Sequence, residues 1–308
     1  MDDRFNITYI TMDGYVEMHR YRYLYFVIMF TVYILIICSN STIVCLIAIH
    51  KNLHEPMYMF IAALLLNSVL FSTNIYPKLL IDFLSEKQIT TYPHCVFQAY
   101  VYYSLGASEF LLLAAMSYDR YVSICKPLQY PTIMTKTTVN VLLLLAWLVP
   151  ACEIAVSLVL NSKIKLCTFT LKGIFCNNSL FSLQCASLAA VSIYGVFMLV
   201  NIELLPMLFI LYSYIRILLI SYRSCKTVRR KAAQTCLPHL LVLTGFSCFV
   251  TFDAVVVRLE SELPKIARLI VLFLMILFHP LLNPIIYGLK MKEIYKHLKK
   301  LLLQVKSH

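Results

Sequence analysis

The stretch that decides the fold reads Met116-Ser117-Tyr118-Asp119-Arg120-Tyr121-Val122-Ser123-Ile124-Cys125-Lys126-Pro127-Leu128. It sets an acid and a base side by side at the end of an apolar run, since Val96 to Tyr118 carries only Glu109 as a charge. Such a run suits a helix crossing a hydrocarbon layer about 30 Å thick. A charged pair at its end lies where side chains leave lipid for water. Working outward, six more runs of this kind appear. Leu24–Ile49, Pro56–Tyr76 and Leu269–Leu289 contain no Asp, Glu, Lys or Arg. Val139–Leu160 is broken only by Glu153, Gln184–Ile215 only by Glu203, and Leu237–Val257 only by Asp253. Backbone groups cannot stay unpaired in lipid, so each run is expected to be helical. The expected fold class is therefore an all-α membrane protein, a seven-transmembrane-helix bundle. A tail (1–23), a seven-span domain (24–289) and a C-terminal end (290–308) make up the chain.

Composition agrees. Of 308 residues 60% are hydrophobic and 14% charged, with a mean hydropathy of +0.78. A soluble domain of this size could not hide that much apolar surface. Six glycines without regular turn spacing argue against a transmembrane barrel. Met1-Asp2-Asp3-Arg4 lacks the basic region of a cleaved leader, so the first span reads as a retained anchor. With the N-terminus outside, the inner segments hold 16 basic residues against Glu55, Asp119 and Glu293, and the outer segments hold 11 against eight acids. That asymmetry is the positive-inside pattern. It accounts for the net charge of +12 through the cytoplasmic face and its anionic lipids, with no nucleic acid as partner.

Four of the eleven cysteines, Cys95, Cys167, Cys176 and Cys185, fall on the outer side, where disulfides persist. Four cysteines allow three pairings. Sequons stand at Asn6 in the outer tail and at Asn177 in the long outer loop. A third, at Asn40, lies inside the first span and is not expected to be used.

The quoted string closely resembles the MAYDRYVAICxPL run of vertebrate odorant receptors, a branch of the rhodopsin-like G-protein-coupled receptors. Other stretches are similar to the same family in the same order. They are Pro56-Met57-Tyr58, Pro77-Lys78-Leu79-Leu80, Ser213-Tyr214-Ile215, Lys231 to Leu240 with His239, and Pro280 to Tyr287 with Asn283-Pro284. The resemblance covers roughly Asn40 to Lys300. The run Lys231 to Cys236 and Ile193 to Phe197 look most like the fish-type members.

This resemblance implies a receptor that binds a small-molecule odorant from outside and activates a heterotrimeric G protein, the olfactory stimulatory type that raises cyclic AMP. The alternative is a rhodopsin-like receptor for a non-odorant small molecule. No cofactor is implied. Asp119, Arg120, Tyr121, Tyr214, His239, Asn283, Pro284 and Tyr287 would form the activation switch. At rest Arg120 would pair with Asp119; on activation it would turn toward Tyr214 and Tyr287 while the inner end of span six swings out. Asn283-Pro284 would bend span seven, and Pro206 could loosen span five, because proline removes a backbone hydrogen bond. The family pattern also gives the pairing Cys95–Cys176, with Cys167–Cys185 as a second bridge.

For the pocket, the resemblance and helical counting point to Tyr102, Tyr103, Gly106, Ala107, Met198, Ile202, Val250, Thr251 and Ala254. Arg258 would face either the pocket, favouring an anionic odorant, or water and Glu260 or Glu262. Glu109 matches an acid that in this family accompanies sodium, but Ser68 stands where the usual aspartate would be, which puts sodium in doubt. Met291, Ile294, Tyr295, Leu298, Leu301 and Leu302 recur at helical spacing among lysines, as in a short amphipathic eighth helix on the membrane surface. An enzyme is disfavoured: His50 and His54 form a lone HxxxH, and neither HExxH nor GxSxG occurs. A transporter is disfavoured by the lack of an internal repeat. An amine receptor would need an aspartate where Tyr102 stands.

Overall fold

The computed structural model describes residues 8–162, 164–177, 180, 183–185, 189–222, 240–245, 247 and 264–306. Span one is Met18–Ile49, span two Pro56–Leu84, span three Tyr92–Cys125 and span four Lys136–Asn161. Span five runs Ala189–Tyr222, and span seven is Lys265–Lys290. Of span six, 240–245 and Ser247 are described, and they are helical. Six helices among the described residues are long and apolar enough to cross a membrane. A further helix, Lys292–Lys306, follows span seven at once.

The helices outrun the apolar stretches that announce them. Span one starts at Met18 rather than Leu24, and span two continues past Tyr76 to Leu84. Both extensions carry charges, such as Lys78 and Asp82, which the water at the membrane rim accepts without breaking the helix. Span five begins later than expected, because Gln184 bridges to Leu166 in the long outer loop. Starts are set by local chemistry. Pro56 opens span two, where a missing N–H costs nothing. The Thr91 hydroxyl accepts the N–H of His94 at 3.4 Å to cap span three, and Thr135 accepts that of Thr138 at 3.2 Å to cap span four.

Span one packs on spans two and seven, span two on three and seven, and span three on four and five. The inner core gathers Leu64, Leu113, Met116, Tyr214 and Tyr287. The outer core gathers Tyr76, Phe83, Tyr102, Phe175 and Ile276. Apolar side chains such as Val27, Leu144 and Ile193 stay exposed on outward faces. In a membrane-spanning bundle that surface is the one lipid covers.

Two prolines inside span seven each strip a donor from the helix, and the bundle replaces both. Pro284 cannot serve the carbonyl of Pro280, and Asn40 of span one donates its Nδ2 to that oxygen at 2.9 Å. Pro280 cannot serve the carbonyl of Ile276, and the Tyr76 hydroxyl of span two reaches it at 3.4 Å. In span five the helix widens to a π turn over Leu199–Leu204, just before Pro206. Such turns relieve a broken ladder by passing the hydrogen bond one residue further.

The outer tail is built into the fold. Strand β1 (Tyr9–Met12) pairs antiparallel with β2 (Ile89–Thr91) and parallel with β3 (Thr170–Leu171). Gly14 and Gly173 meet backbone to backbone, with Gly14 N–H donating to the Gly173 carbonyl at 3.1 Å. A Cβ on Gly14 would lie 2.5 Å from the Gly173 carbonyl carbon, so only glycine fits. Glu17, at φ 45° and ψ 40°, turns the chain from this sheet into span one.

Candidate functional site

At the C-terminal end of span three, Asp119 is fully buried and Arg120 nearly so. Arg120 donates Nε–H to Asp119 Oδ2 at 3.0 Å and adds a second bond from Nη2. The other carboxylate oxygen, Oδ1, accepts the hydroxyl of Tyr130 at 2.8 Å. Tyr130 belongs to a one-turn helix, Tyr130–Ile133, in the loop after span three. Burial, and then the charge of Asp119, push its hydroxyl pKa up, which keeps it a donor. Sequence reasoning missed Tyr130, which stands 11 residues from its partner in a loop. Tyr214 and Tyr287 are buried in the same inner core, and Tyr121 packs at its edge. His239 and the rest of Lys231 to His239 lie outside the described residues.

Midway across, spans two, three and seven converge on Glu109, which is 3% exposed. His279 Nε2 approaches Glu109 Oε1 at 2.8 Å. Asn283 Nδ2 donates to the same oxygen at 3.0 Å and to Ser68 Oγ at 2.9 Å. His279 and Asn283 share a face of span seven, because they are four residues apart. The histidine was not singled out from the sequence, although a polar ring one turn before Asn283 in an apolar helix was a readable signal. Nearby, Asn67 ties three spans together. Its Nδ2 donates to the Leu105 carbonyl at 2.9 Å, and its Oδ1 accepts the indole N–H of Trp147 at 3.2 Å.

Toward the outside, the disulfides are Cys95–Cys176 and Cys167–Cys185. The first ties the top of span three to the long outer loop, and Gln98 reinforces it by accepting the N–H of Cys176 at 3.0 Å. Tyr102 is buried among rings: Phe71 at 5.1 Å, Tyr103 at 4.9 Å and Phe175 of the loop at 5.2 Å between centroids. Its ring thus packs against span two and the loop, while Tyr103 and Gly106 are half-buried and Ala107 is buried. In span five Ile202 is buried and Met198 half-buried, on either side of the start of the π turn. Val250, Thr251, Ala254 and Arg258 lie outside the described residues.

A cleft of about 460 Å³ opens on the outer face, lined by Met12, Asp13, Tyr15, Glu17, Arg20 and Gln88 among others. Beside it, the Tyr15 hydroxyl donates to Asp82 Oδ2 at 3.2 Å, Lys78 pairs with Asp82, and Lys265 pairs with Asp13 at 2.8 Å.

Asn177, the sequon asparagine of the long loop, is 4% exposed beside Cys176. Asn6 lies outside the described residues. Strand β1 and the first turns of span one fall within the first 23 residues. His50 and His54 do not converge as metal ligands: His50 Nδ1 contacts the Leu46 carbonyl at 2.9 Å and His54 Nε2 the Ala48 carbonyl at 3.2 Å.

A bundle of long apolar helices, a buried acid–base pair at one end and a disulfide-tied cap at the other define a membrane receptor of the seven-helix class. The comparisons give the branch. The olfactory receptor family model matches residues 29–305. Olfactory receptor 11A1 of Homo sapiens is 31% identical over 96% of this chain and 94% of its own length. Olfactory receptor 4B13 of Mus musculus is 31% identical over 95% of each chain. An olfactory receptor-like protein of Canis lupus familiaris, OLF4, is 28% identical over 91% of each. The chain belongs to the olfactory receptor family, a family of signalling receptors and not of enzymes.

Proposed function

We propose that the chain takes up a small, mostly apolar odorant between the outer halves of spans three, five, six and seven, and activates a stimulatory, olfactory-type G protein that raises cyclic AMP. The N-terminus lies outside the cell and the basic end inside. Asp119, held by Arg120 and Tyr130, carries this reading, because it is a closed lock at the face where the basic residues gather. A buried ion pair broken on one side is strongly destabilised, so the lock has two distinct states rather than a continuum. On activation Arg120 leaves Asp119 for Tyr214 and Tyr287, with Tyr121, His239, Asn283 and Pro284 accommodating the shift. Tyr103, Gly106, Ala107, Met198 and Ile202 line the ligand's side of the bundle with Val250, Thr251 and Ala254, and Arg258 stands at its outer rim. Tyr102 supports them from behind. A glycan on Asn6 fits the outer placement of the tail.

The test is cyclic AMP in cells expressing the chain with the olfactory stimulatory G protein. The ligand panel spans amino acids, carboxylates, bile acids and neutral odorants, with surface staining recorded. A dose-dependent rise that Arg120→Ala abolishes is expected. Silence across the panel from cells with clear surface staining, with no basal signal either, would overturn the coupling.

A further inference from the structure

The buried cluster around Glu109 does not fit the sodium ion that the family resemblance suggests there. A hard cation needs a shell of oxygen atoms. Here Ser68 supplies a hydroxyl where a second carboxylate would stand, and that hydroxyl already donates to the Leu64 carbonyl at 3.2 Å. The neighbouring Ser108 hydroxyl is turned to the Ser104 carbonyl at 2.7 Å. Asn283 turns its Nδ2 toward Ser68 and Glu109, leaving its Oδ1 as a neutral oxygen without a hydrogen-bond partner among the described residues. Above all, Glu109 Oε1 already receives two nitrogens, His279 Nε2 at 2.8 Å and Asn283 Nδ2 at 3.0 Å. A sodium ion at that oxygen would have to displace the Asn283 N–H that it accepts and the His279 ring set against it.

We propose that His279 does the cation's work: its ring, set 2.8 Å from the Glu109 carboxylate, rather than sodium, ties Glu109 to span seven and holds spans two, three and seven in their resting packing. Burial favours this arrangement. Glu109, His279, Asn283 and Ser68 are all at most 7% exposed, so a partner covalently attached to span seven is always present, whereas an ion must be recruited and stripped of water. His279 is thus a positioning residue, acting through Glu109 on the packing beside Asn283 and Pro284. The site becomes indifferent to sodium as a consequence.

The experiment measures thermal unfolding of the detergent-purified chain in sodium chloride and in an equal concentration of N-methylglucamine chloride, for the wild type, His279→Ala, His279→Gln, Glu109→Gln and the double variant His279→Ala with Glu109→Gln. It needs no G protein, so a silent cyclic AMP assay would sink the coupling proposal and leave this one standing. The wild-type midpoint is expected to be the same in both salts. His279→Ala should unfold earlier and gain several degrees in sodium, because a ligand that binds only the folded state raises its stability. His279→Gln, whose amide N–H can still reach the carboxyl group, should resemble the wild type. The double variant should lose less than the two single losses combined. In cells His279→Ala should raise basal cyclic AMP several-fold. A wild-type midpoint that rises with sodium overturns the proposal. So does a His279→Ala chain matching the wild type in both salts and in basal signal. Should His279→Ala not purify, the wild-type salt comparison and His279→Gln still decide.

Discussion

Tyr130 donates its hydroxyl to Asp119 at 2.8 Å from the loop beyond span three, on the carboxylate oxygen opposite the one held by Arg120. The proposed resting lock therefore has three members, and one of them belongs to the loop after span three rather than to a span. Tyr130→Phe removes a hydrogen bond to a buried charge, worth about 1.5–3 kcal/mol. Basal cyclic AMP should rise severalfold with surface staining unchanged; an unaltered basal level would remove Tyr130 from the lock.

Asn40 should matter for stability rather than signalling. Asn40→Leu leaves the Pro280 carbonyl buried without its donor, at a cost of about 1–3 kcal/mol. Thermal unfolding of the purified chain should show a midpoint several degrees lower, and ligand potency should hold among the molecules that fold. If the midpoint stays put, the Pro280 carbonyl has another partner.

Gly14→Val forces apart two backbones that already touch. The outer sheet should then open, which hydrogen exchange would register as faster exchange at Tyr9–Met12 and Thr170–Leu171 with the spans unchanged. Unchanged protection there would mean that the sheet tolerates a side chain at the crossing.

The terminal helix should respond to acid. His50 and His297 lie ring against ring, centroids 3.9 Å apart with planes tilted by 47°, and Asn52 Nδ2 lies 3.1 Å from His297 Nε2. Desolvation, then the neighbouring His50, lower the His297 pKa below its ordinary value, while Glu293 pulls the other way and Lys296 and Lys300 add to the lowering. A lowered pKa means the folded chain prefers the neutral ring. Its contribution is complete above the unperturbed value, about 6.5, and fades as pH falls through the lower folded value. Hydrogen exchange over Lys292–Lys306, corrected for the intrinsic effect of pH, should therefore be faster at pH 5 than at 7.5. His297→Leu should abolish the difference.

What the sequence made legible follows from what lipid penalises. Each charge inside an apolar run stands out, so Asp119, Arg120 and Glu109 could be placed from the chain alone. Partners were harder. His279 shares a helix face with Asn283, but only the packing of span seven against span three reveals that both reach Glu109. Tyr130 and strand β1 gave no periodic signal, since a one-turn helix and a four-residue strand are too short to show one. Span ends were misjudged for a related reason: hydropathy stops at the edge of the hydrocarbon, whereas helical hydrogen bonding continues into the interface and carries span two to Leu84.

The π turn over Leu199–Leu204 also fixes how span five can be counted. An α-helix advances about 100° per residue, and a π turn spends one extra residue without advancing the face. The outer half of the span is thus rotated out of phase with the inner half. Tyr214 cannot serve as the ruler for Met198: a scan spaced by ordinary helical repeats from the inner motif would sample the lipid side above Leu199 while seeming to follow the cavity. Substitutions above the turn and below it consequently act on differently phased faces of one span, each half keeping its own count.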